Sequence, residues 1–157
     1  MDIIAHFSEF RYLPGARFAY DASQDVINYV QDEVKRADGR LALLHETSHA
    51  LLGHFHFSTD LELFFMEVAA WHKTAELAPL FKVKLNNHYI SDCLDSYDRW
   101  LTERATCPYC QNFCIPQGHN HYRCFACETE WDVSDDRDEK VLQLITKTPI
   151  SSRLGAL

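Results

Sequence analysis

The sequence has little positive charge, no long apolar run and no low-complexity tract. Lys and Arg number 15 against 23 Asp and Glu, which gives a formal net charge of −8. A chain this acidic is a poor partner for phosphate backbones. No stretch approaches the roughly 20 apolar residues of a membrane span, and MDIIAHFSE at the start has no basic region of the signal-peptide kind. We therefore expect a cytoplasmic protein with no membrane partner, for which nucleic acid is a disfavoured ligand.

The 157 residues suffice for one domain with a small appendage. We predict strands at 17–21 and 25–31, helices at 41–53, 58–79 and 90–104, and a short edge strand at 81–85. Composition changes near Thr106, where cysteines become dense and helical periodicity ends. The predicted organisation is a domain over 1–104, a cysteine-rich domain over 105–133, and an acidic linker with a short helical tail over 134–157.

Residues 43–54, LLHETSHALLGH, contain the pattern His-Glu-x-x-His. On a helix, positions four apart share one face, so His45 and His49 can bind one zinc ion. Glu46 projects beside them and can take a proton from water that zinc has made acidic. This spacing is typical of zinc peptidases. The alternative is a surface helix with incidental histidines.

A catalytic zinc usually has three protein ligands. His54 lies nine residues after His45 and would face away from it on a continuous helix. We favour Glu67, which lies on the flank of the apolar face of the next helix, where a carboxylate needs a partner. A half-exposed Glu67 paired with Lys73 is the alternative. Glu62 and His72 are weaker rivals.

The stretches HETSHALLGH and EVAAWHKTAELAP together resemble the ImmA/IrrE-like metallopeptidases, which are small gluzincins. The resemblance implies an α+β, minimal zincin-type fold, with a small twisted sheet beside the active-site helix. It implies that His45, His49 and Glu67 are the zinc ligands and that Glu46 is the general base. It also implies an edge strand that aligns an extended substrate, which we assign to 25–31. Ser48 departs from the glycine that this family often has before the second histidine.

Cys-x-x-Cys occurs twice, at 107–110 and 124–127. Two such pairs offer four thiolates to a tetrahedral structural zinc, so Cys107, Cys110, Cys124 and Cys127 predict a zinc ribbon. Cys114, His119 and His121 lie between the pairs and are alternative ligands. A redox dithiol is a less favoured interpretation. The ribbon has few cations, so we expect it to contact protein rather than phosphate.

The sequence therefore predicts a zinc metalloendopeptidase with one catalytic and one structural zinc, acting on a protein or peptide substrate. SprT-like proteases, which act on DNA-bound proteins, also join His-Glu-x-x-His to a zinc ribbon and are one alternative. A non-enzymatic adaptor is the other. Candidates for stabilising the oxyanion are Tyr89, His88 and His72, by residue type only.

Overall fold

The computed structural model describes residues 2–135 and 140–149. Its architecture is α+β and divides into two compact units. The first unit comprises Met1–Phe57 and Phe65–Leu94, and the second comprises Ser58–Phe64 and Asp95–Leu157.

The helices are α1 (Ile3–His6), α2 (Ala37–Leu52), α3 (Asp60–Phe81) and α4 (Asn87–Ala105), with a 3-10 turn at Glu33–Lys35. The strands are β1 (Arg11–Pro14), β2 (Ala19–Asp21), β3 (Val26–Tyr29), β4 (Pro116–Gly118), β5 (His121–Arg123), β6 (Glu130–Val133) and β7 (Gln143–Lys147).

Among the described helices, none has both the length and the apolar character needed to cross a membrane.

The sheet of the first unit has the strand order β1-β3-β2. β3 pairs in parallel with β1 on one side and antiparallel with β2 on the other. The predicted strands at 17–21 and 25–31 are confirmed as β2 and β3, and β1 was not predicted. The assignment of 25–31 as the edge strand is wrong, because both sides of β3 are paired. The edges of this sheet are β1 and β2.

Helix α2 is the centre of the first unit. Almost every side chain between Leu41 and Ala50 is buried, on all sides of the helix. A helix buried all round must find partners for its polar groups. Thr47 Oγ1 lies 3.1 Å from the hydroxyl of Tyr12 in β1, and Ser48 Oγ lies 3.0 Å from Thr74 Oγ1 in α3. The Ser48 hydroxyl therefore has a partner in the neighbouring helix.

Helix α3 begins at a capping box, as its sequence predicts. Thr59 Oγ1 accepts from the Glu62 backbone N–H at 3.2 Å, and Glu62 Oε2 accepts from Ser58 N–H at 2.8 Å. The helix does not stop at Pro79 but continues to Phe81. Lys82 then adopts a positive φ of 52°, and Val83 N–H returns to the Ala78 carbonyl. This helix-terminating turn occupies 81–85, so the predicted edge strand there is wrong.

The sheet of the second unit is antiparallel, in the order β4-β5-β6-β7. Within the cysteine-rich region, β5 and β6 form an antiparallel hairpin. The helical tail is wrong for Gln143–Lys147, because these residues form β7 and pair with β6. Of the predicted linker and tail, residues 136–139 and 150–157 lie outside the described residues.

A buried ion pair organises the second unit. Arg104 and Asp60 are fully buried, and the guanidinium contacts the two carboxylate oxygens at 2.7 and 3.0 Å. The Tyr122 hydroxyl donates to the same carboxylate, and the Trp100 ring lies 4.2 Å from the guanidinium carbon. Asp60 begins α3 and Arg104 lies in the last turn of α4, so both helices contribute to the second unit. The compact units therefore do not follow the boundary predicted at 104/105.

Candidate metal centres

Two histidines and one carboxylate converge in the first unit. His45, His49 and Glu67 are 6%, 8% and 6% exposed, and their ligand atoms all lie within 4.8 Å of one another. The Nε2 atoms of the two histidines are 3.1 Å apart, and Glu67 oxygens lie 3.3 and 3.5 Å from them. Ligands at ordinary Zn–N and Zn–O distances in a tetrahedron are separated by roughly 3.4 Å. The donor set therefore fits a single metal ion.

Glu67 lies at the centre of the buried face of α3, and not on its flank as predicted. Its neighbours on that face, Ala70, Trp71 and Thr74, are also buried. Lys73, the predicted alternative partner, instead pairs with Glu76 at 3.0 Å on the outer side of the helix. Burial by itself would raise the pKa of Glu67, but the adjacent rings of His45 and His49 outweigh it and lower the pKa to about 2. The carboxylate form of Glu67 is therefore favoured at neutral pH.

Glu46 is turned towards the sheet. Its Oε2 accepts a hydrogen bond of 2.7 Å from the backbone N–H of Tyr20 in edge strand β2. Glu46 is half-buried, unlike the neighbouring histidines. The Glu46 carboxylate, which adjoins His45 in sequence, is thus in direct contact with edge strand β2.

The His45 ring is held by stacking. Its centroid lies 3.9 Å from that of Trp71, with 19° between the planes. Its second nitrogen, Nδ1, is buried and has no hydrogen-bond partner among the described residues. Among the described residues, the polar contacts of the His45 ring are thus with His49 and Glu67.

His54, disfavoured as the third ligand, is not in the group of three, but it lies beside that group because the helix ends before it. Gly53 ends α2 in the left-handed region at a φ of 66°, and His54 N–H returns to the His49 carbonyl at 3.2 Å. This reversal places His54 Nδ1 2.9 Å from His49 Nδ1. Burial, followed by the nearby His49, lowers the pKa of His54 and favours its neutral form. The available signal was Gly53, which marks the point where helical angles no longer apply.

The other candidates lie elsewhere. His72 is exposed and lies outside the group of three, and Glu62 is occupied in the capping box. His88 is exposed and pairs with Asp92. Tyr89 is half-buried with its ring 6.1 Å from that of Trp71, and burial raises its pKa to about 12. Of the three predicted oxyanion candidates, Tyr89 is thus the one that adjoins the residues around the histidines.

The second unit contains a four-cysteine group. Cys107, Cys110, Cys124 and Cys127 place their sulfur atoms within 4.8 Å of one another. The Cys107–Cys127 and Cys110–Cys124 separations are 3.7 and 3.5 Å, far longer than a disulfide bond. Thiolates around one zinc ion are separated by roughly 3.8 Å. The spacing therefore fits a tetrahedral metal.

The two Cys-x-x-Cys segments have equivalent backbones. In the first, the Cys107 N–H donates to the Asn112 carbonyl, and the Gln111 N–H donates to the Cys107 carbonyl. In the second, the Cys124 N–H donates to the Thr129 carbonyl, and the Glu128 N–H donates to the Cys124 carbonyl. Gln111 and Glu128, each directly after a pair, share a φ of 61°. Two separate segments thus form the same turn around one centre.

Backbone amides favour the thiolate form of Cys124 in this group, whereas the pKa of Cys110 is raised to about 12. Burial opposes ionisation of Cys124, but N–H groups of Cys127 and Ala126 overcome it and lower its pKa to about 6. The alternative ligands are not in the group of four. His119 pairs with Asp135 and His121 pairs with Asp132, while Cys114 is buried next to the group.

Comparison of the chain with protein-family models, with curated proteins and with solved structures gave no match.

Proposed function

We propose that the protein is a zinc-dependent metalloendopeptidase with an appended zinc ribbon. The observation that carries the proposal is the buried His45, His49 and Glu67 set, with ligand atoms at metal-binding distances and Glu46 next to it in sequence. The resemblance to gluzincins assigns the same four residues. A zinc ion held by these three ligands would act as a Lewis acid on water and on the scissile carbonyl.

The residues of the chain have separable tasks in such a reaction. Glu46 accepts the proton of the attacking water on a carboxylate oxygen and passes it to the leaving amine nitrogen. Glu67 supplies a negative charge to the ligand set, since its pKa is about 2. Trp71 packs flat against the His45 ring and limits its rotation.

The edge of the small sheet suits an extended substrate. β2 is an edge strand, and Tyr20 in it directs its N–H towards Glu46. We assign the substrate-aligning strand to β2, in place of 25–31, because a peptide can add only to a strand with a free edge.

The four-cysteine group supports a structural zinc ribbon in the second unit. Equivalent turns, sulfur separations of 3.5 and 3.7 Å and a small antiparallel sheet are its basis. With a net charge of −8 on the chain, protein is a better partner for the ribbon than nucleic acid. A third ligand that is Glu67 rather than histidine favours the gluzincin interpretation over the SprT-like one.

The deciding experiment compares wild type with Glu46→Gln. Both proteins are loaded with zinc, their metal content is measured, and each is incubated with a proteome-derived peptide library that is read by mass spectrometry. We expect new cleavage sites with wild type, at least about 100-fold fewer cleavages with the variant, and equal zinc in both. Equal peptide patterns at two zinc ions per chain would instead identify a non-enzymatic adaptor.

A further inference from the structure

The two ring nitrogens of His49 face different neighbours. Nε2 faces the ligand set, 3.1 Å from His45 Nε2 and 3.5 Å from a Glu67 oxygen. Nδ1 faces His54 Nδ1 at 2.9 Å. Nε2 is therefore the nitrogen that would bind a metal, and Nδ1 is the one available for a supporting hydrogen bond.

The chemistry of imidazole fixes where the protons lie. A nitrogen that binds a metal must present its lone pair, so the proton of His49 belongs on Nδ1. Two nitrogens 2.9 Å apart form a hydrogen bond only if one carries a proton and the other does not. His54 Nδ1 must then be the acceptor, with the proton of His54 on Nε2.

We propose that His54 is a positioning residue that holds His49 in the Nδ1–H tautomer required for metal binding through Nε2. This inference rests on the proposed metal site at His45, His49 and Glu67. Ligating histidines generally donate their second N–H to a fixed acceptor, and loss of that acceptor weakens metal binding. In this chain the acceptor is itself a histidine, supplied from just beyond the end of the ligand-bearing helix.

The role falls on His54 alone because the two histidine ligands are supported differently. His45 stacks on Trp71, and its Nδ1 has no hydrogen-bond partner among the described residues. His49 has the bond to His54 and an edge-on ring contact with it at 4.9 Å. The orientation of His49 thus depends on the turn at Gly53, which brings His54 back over the last turn of α2.

The same order of protons accounts for the metal-free geometry. If His49 carries its proton on Nδ1, its Nε2 accepts from His45 Nε2, which also approaches Glu67 at 3.3 Å. His45 Nδ1 is then an unprotonated nitrogen, and a buried acceptor without a partner costs less than a buried N–H without one. In the metal-free protein the His45 proton on Nε2 is therefore directed to His49 Nε2, and the His49 proton on Nδ1 is directed to His54 Nδ1.

The test uses two substitutions of matched shape. Asn places its Oδ1 where His54 has Nδ1 and can accept the bond, whereas Leu fills the same volume without an acceptor. His56→Leu, at an exposed histidine two residues away, controls for loss of a histidine. The measurements are the zinc dissociation constant of the His-His-Glu site, by chelator competition, and the ¹⁵N chemical shifts of the His49 ring.

We expect His54→Leu to weaken zinc binding by about 10–100-fold, and His54→Asn and His56→Leu to stay within about threefold of wild type. The ¹⁵N shifts should show a protonated Nδ1 on His49 in wild type and lose that preference in His54→Leu. Unchanged affinity in His54→Leu, or equal loss in His54→Asn, overturns the proposal.

Failure of the proposed function is a separate result. A wild type that binds two zinc ions but cleaves nothing removes the peptidase and leaves the affinity comparison intact. A wild type that binds only the ribbon zinc removes the metal site, and the His49 shifts of that protein still decide the tautomer. A proton on Nε2 of His49 would then overturn the inference.

Discussion

The backbone N–H of Tyr20 donates to the carboxylate of Glu46 across 2.7 Å. Tyr20 belongs to edge strand β2, and Glu46 directly follows His45, the first of the proposed metal ligands. A peptide that adds to β2 and uses this N–H must therefore displace the carboxylate from it. Strand pairing and release of the proposed general base would be one event.

Hydrogen exchange of the Tyr20 amide tests this contact. In Glu46→Ala the acceptor is lost, and we expect faster exchange by roughly 2–10-fold, the range for a net hydrogen-bond contribution of about 0.5–1.5 kcal/mol. Glu46→Gln retains an acceptor oxygen and should exchange as wild type does. Equal rates in Glu46→Ala and wild type, measured residue by residue by NMR, would show that the N–H is protected by something else.

Zinc content tests the division of ligands between the two units. Purified wild type should hold about two zinc ions per chain, and Glu67→Ala should hold about one, because the four-cysteine group does not involve α3. Glu76→Ala, at an exposed position of the same helix, should keep two. Elemental analysis on protein purified in metal-free buffer gives the numbers, and two zinc ions in Glu67→Ala would refute its role as a ligand.

The close packing at the start of α2 predicts an intolerant glycine. A Cβ added to Gly39 would lie 2.0 Å from the backbone oxygen of Glu33, a contact that side-chain motion cannot relieve. Gly39→Ala should lower the free energy of unfolding by about 1–3 kcal/mol or more. Gly15→Ala, whose Cβ would meet Asn28 at an ordinary 3.4 Å, is the control in the same unit. Urea denaturation compares the two, and equal stability would contradict the packing.

The ion pair of the second unit predicts a large loss on removing one charge. Asp60→Asn leaves the Arg104 guanidinium buried without its counter-ion, so we expect a destabilisation of about 3–5 kcal/mol. Glu76→Gln breaks the solvated pair with Lys73 and should change stability by less than about 1 kcal/mol. Both are read from Trp fluorescence during denaturation, and a similar small change in each would argue against the burial of Asp60.

Tyr12 supplies a pH-dependent prediction. Burial raises its pKa to about 12, against the lowering effect of the bond to Thr47. A raised pKa means that its contribution to stability is complete below about pH 10, the ordinary value for tyrosine, and is lost as pH rises towards 12. Tyrosinate absorbance of wild type minus Tyr12→Phe should therefore stay flat near pH 10 and rise only towards pH 12. A step near pH 10 would mean an exposed phenol.

Local patterns were enough to predict the helices and both ligand sets. His45 and His49 share a face through helical spacing alone, and a buried carboxylate such as Glu67 requires a partner wherever it lies. Each Cys-x-x-Cys pair likewise forms its turn from neighbouring residues. The helices, the His45–His49 pair and each cysteine turn depend on residues that are close in sequence, whereas Glu67 was predicted from the cost of burying a carboxylate.

The sequence did not predict the strands that form only by pairing with residues far away in the chain. Val141, Leu142, Leu144 and Ile145 fit a helical spacing as well as a strand, and only the pairing with β6 decides for β7. Likewise β1, four residues that end in Pro14, has a weak strand pattern, yet its pairing makes β3 a central strand. His54 was misplaced because helical angles were extended past Gly53, where the backbone reverses.

Helices α3 and α4 each begin in one compact unit and end in the other, so the chain passes between the units at 57/58, 64/65 and 94/95. A gene fragment that stops at codon 104 would encode Asp60 and Arg104 but not Tyr122 or Trp131. A single recombination point therefore cannot transfer either ligand set to another protein together with its whole supporting unit. The two candidate metal centres are therefore supported by units whose coding segments alternate along one gene.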